Sequence, residues 1–172
     1  HHRFVGTHED PVTARRGESA YAFILRAVFT GITSAWRLEK RRCERAGIGN
    51  FSLRNRRLRY LLTQASLIIS LHLLFGPLVT TFFFGQAAMA VLLLELTDYI
   101  EHYGLTRSKL ESGRLERVAP HHSWNSNHAL TSAYLFHLTR HSDHHMEASR
   151  PYDKLRARPE APALPAGYPT MM

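Results

Sequence analysis

Cysteine is nearly missing from this sequence, and basic residues are missing from one long part of it. Cys43 is the single cysteine, which excludes an internal disulfide and fits a reducing compartment. Between Tyr60 and Thr106 there is no lysine or arginine, although the chain has 22 of them and a formal net charge of +8. There is no secretory signal peptide and no initial methionine, and we expect a piece of a longer protein, cut at both ends.

A long apolar segment fills the region without basic residues. Residues 61–84 are apolar apart from a few polar side chains, and a second apolar run follows from Ala87. Because a membrane span needs about 20 mostly apolar residues, residues 58–103 have room for two short or tilted spans, punctuated by Gly76 and Gly85. We predict a transmembrane hairpin here. A buried helical hairpin in a soluble domain is the alternative that the pattern alone leaves open.

Basic residues stand on both sides of the apolar segment. They are Arg37, Lys40, Arg41, Arg42, Arg45, Arg54, Arg56, Arg57 and Arg59 before it, and Arg107, Lys109, Arg114 and Arg117 after it. By the positive-inside rule this placement puts both ends of the hairpin in the cytoplasm. Anionic membrane lipid is the expected partner. Nucleic acid is not, because no nucleic-acid module is recognisable and few aromatic residues interleave with the arginines.

The pattern predicts an all-α fold, an integral-membrane helical bundle of which this chain is part. We divide residues 1–172, a single partial domain, into polar turns (1–17), an interfacial amphipathic helix (18–46), the transmembrane hairpin (58–103), a cytoplasmic polar region (104–149) and a tail rich in proline and arginine (150–172). Within the polar region, the apolar spacing predicts one further helix from Ala129 to His145.

Histidine is several times more frequent than usual, with 12 in the chain, and most of these residues are clustered. His141, His144 and His145 are spaced i, i+3 and i+4, so a helix would project all three from one face. Three neutral imidazoles on one face form a metal-binding platform, and imidazole suits zinc, copper, iron and nickel alike. The alternative is a hydrated histidine patch, or for His1 and His2 the remnant of a purification tag.

Ionisable side chains also occur near the end of the apolar segment. Glu95, Asp98 and His102 are spaced i, i+3 and i+7 on one helix. Lipid cannot satisfy such groups, so they are costly within a membrane and by default functional. The alternative, that they mark where the helix leaves the bilayer, suits Glu101 better than Glu95.

Two motifs carry four of these histidines. Residues 96–105 read LTDYIEHYGL, and residues 138–145 read LTRHSDHH. They resemble the signature N-Y-x-E-H-Y-G-L and the last histidine box, L-Q-R-H-S-D-H-H, of the membrane-bound alkane 1-monooxygenases, a family related to the fatty-acid desaturases. Residues 124–128 (WNSNH) and the opening His1-His2 with residues 10–15 (DPVTAR) also resemble this family, so the likeness covers nearly the whole chain.

The resemblance implies a centre of two iron ions whose ligands in this chain are His1, His2, His102, His141, His144 and His145. Groups expected to hold the second ring nitrogens are Asp98, Glu101, Asn127, His128, His137 and Asp143. His8 and His72 are expected to have no role. The family's first box, H-E-x-x-H, is absent, and only the final pair of its second box, E-H-x-x-G-H-H, is present. We therefore expect the chain alone to be inactive.

The activity implied by the resemblance is hydroxylation of the terminal carbon of medium- or long-chain n-alkanes to 1-alkanols with O2. Electrons would come from rubredoxin, served by an NADH-dependent rubredoxin reductase, and the cationic residues Arg41, Arg42 and Arg45 offer this acidic protein complementary charge. The expected location is the bacterial inner membrane, as a multi-pass protein with its site facing the cytoplasm. The alternatives are a fatty-acid desaturase, a xylene-type hydroxylase, or a membrane metal-transport module whose ligands would be distributed along the spans.

Overall fold

The computed structural model describes residues 1–171. Within that range the regular secondary structure is helical, and there is no β-strand. Five α-helices follow one another: α1 (Ala20–Arg45), α2 (Arg56–His102), α3 (Ala129–Tyr134), α4 (His141–Met146) and α5 (Tyr168–Met171). Short 3₁₀ turns lie at Pro120–His122 and Tyr152–Lys154. The all-α prediction is therefore confirmed for the described residues. The chain forms two compact units, one of residues 29–93 and one of residues 1–28 together with Leu94 onward.

Helix α1 separates its apolar side chains into a narrow buried face and a broad exposed stripe. Phe23 and Ala27 are buried and pack with Ala14. The exposed apolar side chains recur every three or four residues, which places them on one side of the helix: Tyr21, Leu25, Phe29, Ile32 and Trp36. An exposed apolar stripe of this kind suits a helix lying in a membrane surface, and the interfacial position of residues 18–46 stays a prediction.

Helix α2 is the one helix among the described residues that is long and apolar enough to cross a membrane. Its 47 residues include a window of mean hydropathy 2.0, and none of that window is buried in protein. The core helix of a soluble protein would be covered, so the exposure of these side chains favours lipid as their surroundings.

The backbone of α2 is broken at Gly76, whose φ of 80° and ψ of −177° are not helical. Pro77 follows, and it cannot donate a hydrogen bond to the preceding turn. The side chains of His72 and Thr80 approach to 3.4 Å between Nδ1 and Oγ1, whereas eight residues of straight helix advance about 12 Å. The chain therefore bends sharply here. The return of both ends to one side of a bilayer, as in the hairpin of residues 58–103, stays a prediction.

The prediction of one helix from Ala129 to His145 is wrong. Helix α3 ends at Tyr134, and Phe136 and His137 have φ angles of 50° and 60°, a left-handed conformation that costs a non-glycine residue about 1–3 kcal/mol. The buried hydroxyl groups of Ser132 and Thr139 pair across this turn at 2.7 Å. The turn gives α4 a direction of its own.

Backbone hydrogen bonds connect the start of the chain to the segment that follows α2. The Gly104 N–H donates to the carbonyl of Ala14 at 2.9 Å, and the Arg107 N–H donates to the carbonyl of Gly6 at 2.7 Å. Gly6 has a φ of 69°, and a Cβ there would lie 3.0 Å from Cγ of Arg107. These contacts bring the opening residues beside the end of α2.

We expect Gly76→Ala to lower the free energy of unfolding by about 1–3 kcal/mol, because only glycine adopts this φ and ψ without strain. A Cβ at Gly76 would meet nothing within 4 Å, so the cost is conformational rather than steric. Gly85→Ala is the control, since Gly85 is helical, also has open space, and should gain about 0.5–1 kcal/mol. Unfolding of the micelle-bound protein by a denaturing detergent measures both, and equal effects of the two changes would contradict a special backbone at Gly76.

Candidate metal centre

Four histidines from three separate parts of the chain bring one ring nitrogen each to a common point. His1 opens the chain, His102 is the last residue of α2, and His141 and His145 lie one turn apart on α4. Their candidate ligand nitrogens all lie within 4.8 Å of one another. Such convergence of four imidazoles that are distant in sequence is the central feature of this unit.

The distances between these nitrogens fit a shared metal ion. The Nε2 of His141 lies 2.7 Å from that of His145 and 2.9 Å from that of His102, and the Nε2 of His1 lies 3.1 Å from that of His145. Two nitrogens that each bind one ion at about 2.1 Å stand about 3.0 Å apart at a right angle and about 3.4 Å apart at the tetrahedral angle. The donor set and its spacing are therefore close to those of a shared metal ion.

The other two predicted ligands, His2 and His144, form a neighbouring pair. Their Nε2 atoms lie 3.3 Å apart, and the His2 ring also contacts that of His145, with 4.9 Å between ring centroids. The structure thus brings all six predicted histidines together, as a group of four and a neighbouring pair. This arrangement offers two adjacent sets of nitrogen donors.

Burial keeps the imidazoles of α4 neutral. It lowers the pKa of His141 well below the ordinary value, and the neighbouring rings of His102 and His145 lower it further. The pKa of His145 is lowered to about 2 by the same two causes, burial first and the facing imidazoles second, and burial also lowers the pKa of His144. Near neutral pH these rings hold free lone pairs, which is the form that binds a metal.

Asp10 fixes the orientation of the His1 ring, a role that we did not predict. Its carboxylate lies 2.9 Å from Nδ1 of His1 and accepts a 2.6 Å hydrogen bond from the Thr13 hydroxyl. Burial raises the pKa of Asp10, while the bonds from Thr13 and from the Val12 N–H act against this rise. An acceptor on Nδ1 leaves Nε2 free as a donor to metal. The only signal in the sequence was its place in the DPVTAR run.

Glu101, predicted to be a supporting group, is buried beside the converging histidines. Its Oε2 lies 3.2 Å from Nε2 of His141, and its Oε1 accepts a 2.7 Å hydrogen bond from the hydroxyl of Tyr168 on α5. Burial and this carboxylate raise the pKa of Tyr168, so the hydroxyl remains a donor. Glu101 also groups with Asp98 and His102, with ligand atoms within 4.8 Å. Tyr168 carried no recognisable motif and was missed.

Asp143 contacts arginines instead of the imidazole that we predicted. Its carboxylate accepts hydrogen bonds from Arg150, from Arg158 at 2.7 Å and from the Arg156 N–H at 3.0 Å. Burial raises the pKa of Asp143, but these three donors outweigh it and the net pKa is lowered. Its helical position turns the side chain away from the face that carries the three histidines. Asp143 therefore joins the segment after α4 to the helix.

Three other predicted supporting residues lie apart from the convergent nitrogens. Asn127 and His128 are exposed, and His137 is half-buried in the left-handed turn. The nearby Asn125 holds α4 instead: its side chain donates to the Ser142 hydroxyl at 2.8 Å and accepts from the Ser142 N–H at 2.9 Å. Asn125 stood in the WNSNH run, but nothing there distinguished it from Asn127.

Several buried ring nitrogens have no hydrogen-bond partner within residues 1–171. They are the Nδ1 atoms of His102, His141 and His145, together with that of His137. In the first three rings, Nε2 already faces the common point, so Nδ1 is the nitrogen that carries the proton when Nε2 binds a metal. A neutral ring with its proton on Nδ1 is the tautomer that binds a metal through Nε2.

Comparison with known proteins agrees with the motifs. Over all 172 residues the chain is 45% identical to alkane 1-monooxygenase 2 of Pseudomonas aeruginosa and covers 46% of that protein. It is 47% identical to alkane 1-monooxygenase 1 of Alcanivorax borkumensis over 171 residues, 99% of this chain and 42% of the relative. The xylene/toluene monooxygenase hydroxylase component of Pseudomonas putida is 26% identical over 166 residues, 96% of this chain and 44% of that protein.

The chain therefore spans less than half the length of these relatives. Its identity to the alkane 1-monooxygenases confirms the resemblance that the two histidine motifs indicated. The family model for fatty acid desaturases matches residues 1–172 in full. On this match, the chain belongs to the fatty acid desaturase family.

Proposed function

We propose that this chain supplies metal-binding histidines to a membrane monooxygenase that hydroxylates the terminal carbon of medium- or long-chain n-alkanes to 1-alkanols. The observation that carries this proposal is the convergence of ring nitrogens from His1, His102, His141 and His145 within 4.8 Å. The 45–47% identity to proteins named alkane 1-monooxygenases supports the choice of substrate.

The metal that we propose is a pair of iron ions, held by the group of four histidines and by the adjacent pair His2 and His144. Imidazole binds several metals equally well, so iron is inferred from the family and not from the donor type. Bound iron would supply the reduction of dioxygen and the attack on a strong C–H bond, which acids and bases cannot perform. One oxygen atom enters the alkanol and the other leaves as water, with consumption of two electrons and two protons.

The residues of this chain serve that chemistry by orientation and by exclusion of water. Asp10 holds His1 through Nδ1, and Asn125 holds the backbone of α4 through Ser142. Glu101, bonded to Tyr168, places a carboxylate oxygen 3.2 Å from Nε2 of His141. His102, His141 and Glu101 are all at most 4% exposed, which limits the access of bulk water to a reactive centre.

The proposed setting is the bacterial inner membrane, in a multi-pass protein with its metal centre facing the cytoplasm. The exposed apolar surface of α2 supports a bilayer location, and the basic residues at its N-terminal end support a cytoplasmic side. An n-alkane dissolved in lipid would then reach the centre laterally. Rubredoxin is the proposed electron donor, drawn by the exposed cations Arg41 and Arg45, whereas Arg42 is engaged by Glu39 at 2.6 Å.

The substrate is tested with the whole protein in membranes supplied with rubredoxin, its reductase, NADH, isotopically labelled dioxygen and a medium-chain n-alkane. We expect 1-alkanol carrying one labelled oxygen atom, and no product when rubredoxin is left out. Xylene serves as the competing substrate because of the 26% identity to a xylene/toluene monooxygenase component. The proposal fails if no alkanol forms. Benzylic alcohol would then indicate a xylene-type hydroxylase, a desaturated fatty acid would indicate a desaturase, and metal movement without O2 consumption would indicate a transport module.

Removal of one ligand tests the metal centre. We expect His145→Ala to lose most of its bound iron, because Nε2 of His145 contacts those of both His1 and His141. His72→Ala is the matched control, since His72 is exposed within α2 and far in sequence from the cluster. Iron per protein is measured by elemental analysis, and Mössbauer spectra report whether two irons share one environment. Equal iron content in the two variants would remove the cluster as the binding site.

The role of Asp10 is tested by Asp10→Asn, which removes the charge that orients His1. We expect iron affinity to fall about 10- to 100-fold, as for other carboxylates behind a metal-bound histidine. Glu9→Gln makes the same charge change at the adjacent exposed position and should leave affinity unaltered. Competition with a chelator gives the affinities. If both variants bind iron as the unaltered protein does, Asp10 only stabilises its own turn.

A further inference from the structure

A cavity lies within the compact unit of residues 29–93. It has a volume of about 510 Å³, within the range of small-molecule sites, and it is formed by the end of α1, the following loop and the start of α2. The lining residues used below are Trp36, Arg37, Lys40, Phe51, Arg57 and Leu61. The metal centre makes no use of this cavity.

The lining is cationic without acidic compensation. It includes Arg37, Lys40 and Arg57 and no aspartate or glutamate. Of the nearest acids on α1, Glu39 is engaged by Arg42 at 2.6 Å and by the Arg56 N–H at 2.8 Å. Glu44 lies 3.9 Å from Lys40, with both side chains more than half exposed, so this pair is weak. The lining therefore carries a net positive charge, of which only that on Lys40 has a weak acidic partner among the described residues.

Arg57 is held in place but has bonding capacity left. Its guanidinium carbon lies 3.1 Å from the ring centroid of Trp36, and its Nη1 donates to the Trp36 carbonyl at 2.8 Å. Its Nε is buried and has no hydrogen-bond partner among the described residues. A buried donor of this kind is uncommon in folded proteins. An anion bound beside this guanidinium would give it a partner.

The other side of the cavity is apolar and continuous with the membrane segment. Phe51 is 92% exposed and Leu61 is 51% exposed, although both are large apolar side chains. Leu61 begins the run without basic residues, and Trp36 ends the exposed apolar stripe of α1. Tryptophan at such a boundary is typical of the interface between lipid and water. Cations and apolar groups thus meet where headgroups and acyl chains would meet.

We propose that this cavity binds one anionic glycerophospholipid, with its phosphate beside Arg37, Lys40 and Arg57 and an acyl chain along Phe51 and Leu61. A free phosphate would satisfy the cations but not the exposed apolar groups, and a zwitterionic lipid carries its own cation against theirs. Basic pockets at the cytoplasmic ends of membrane helices are suited to such headgroups. The site would anchor the loop between α1 and α2 to one class of lipid.

Trp36 provides a direct reporter for the test. The chain has two tryptophans, so Trp124→Phe leaves Trp36 as the sole fluorophore in the full chain reconstituted into vesicles. Phosphatidylglycerol and phosphatidylcholine, each brominated on the acyl chains, are compared at equal mole fraction. We expect brominated phosphatidylglycerol to quench Trp36 more strongly. Arg37→Gln with Lys40→Gln should lower this preference about fivefold for each cation removed.

Two controls separate a built site from general attraction to a charged surface. Arg41→Gln with Arg45→Gln removes the same charge from the same helix outside the cavity lining and should keep most of the preference. Arg37→Lys with Lys40→Arg keeps the charge and should keep the preference. The proposal is overturned if the two lipids quench Trp36 equally, or if the Arg41 and Arg45 variant loses as much of the lipid preference as the Arg37 and Lys40 variant. It is also overturned, in favour of a small-anion site, if inorganic phosphate at moderate concentration displaces the lipid.

Discussion

The structure depends on holding several uncharged imidazoles against one another in a place with little water. Buried polar atoms without partners are costly, and the Nδ1 atoms of His102, His141 and His145 have none among the described residues. Their Nε2 atoms contact one another at 2.7 and 2.9 Å. In the proposed function, a metal ion would accept the converging Nε2 lone pairs. The surrounding contacts of Asp10 and Asn125 keep the donors in place against this unfavourable energy.

The long elements could be predicted from the sequence because their signals are local. A helix was expected at residues 18–46 and is found at Ala20–Arg45, and the apolar segment expected at 58–103 as a hairpin is the kinked helix Arg56–His102. The interfacial and hairpin placements stay predictions. Length, apolar content and the placement of basic residues determine both. The six histidines were identified through motif resemblance, and they do come together in space.

The parts that could not be predicted depend on contacts between residues distant in sequence, or on a side-chain contact that competes locally with helix formation. The break between α3 and α4 rests on the buried pair Ser132 and Thr139, which overrides an apolar spacing that suits a continuous helix. Asp10 looked like an ordinary turn residue until its distance to His1 was known. Tyr168 lies 67 residues from Glu101, and no spacing rule relates two such positions. Asp143 sits between ligands in the sequence but faces the other way.

The position of the ligands also bears on the competing functions. A transport module would distribute its ligands along the spanning segments, so that an ion could pass between them. Here His102 is the last residue of α2, and the other five histidines of the candidate centre lie outside that helix. The candidate ligands are therefore gathered at one end of α2 and not distributed along it, which favours the proposed oxygenase over a transport module.

The proline- and arginine-rich residues after α4 are bonded to residues of the candidate site. Arg158 bonds Asp143 on the ligand helix, and Tyr168 bonds Glu101 among the imidazoles. A shorter protein made for crystallisation, or one with a fusion partner in place of this region, would therefore lose the hydrogen bonds that Asp143 and Glu101 accept from it. Any such design has to keep the chain intact through Tyr168.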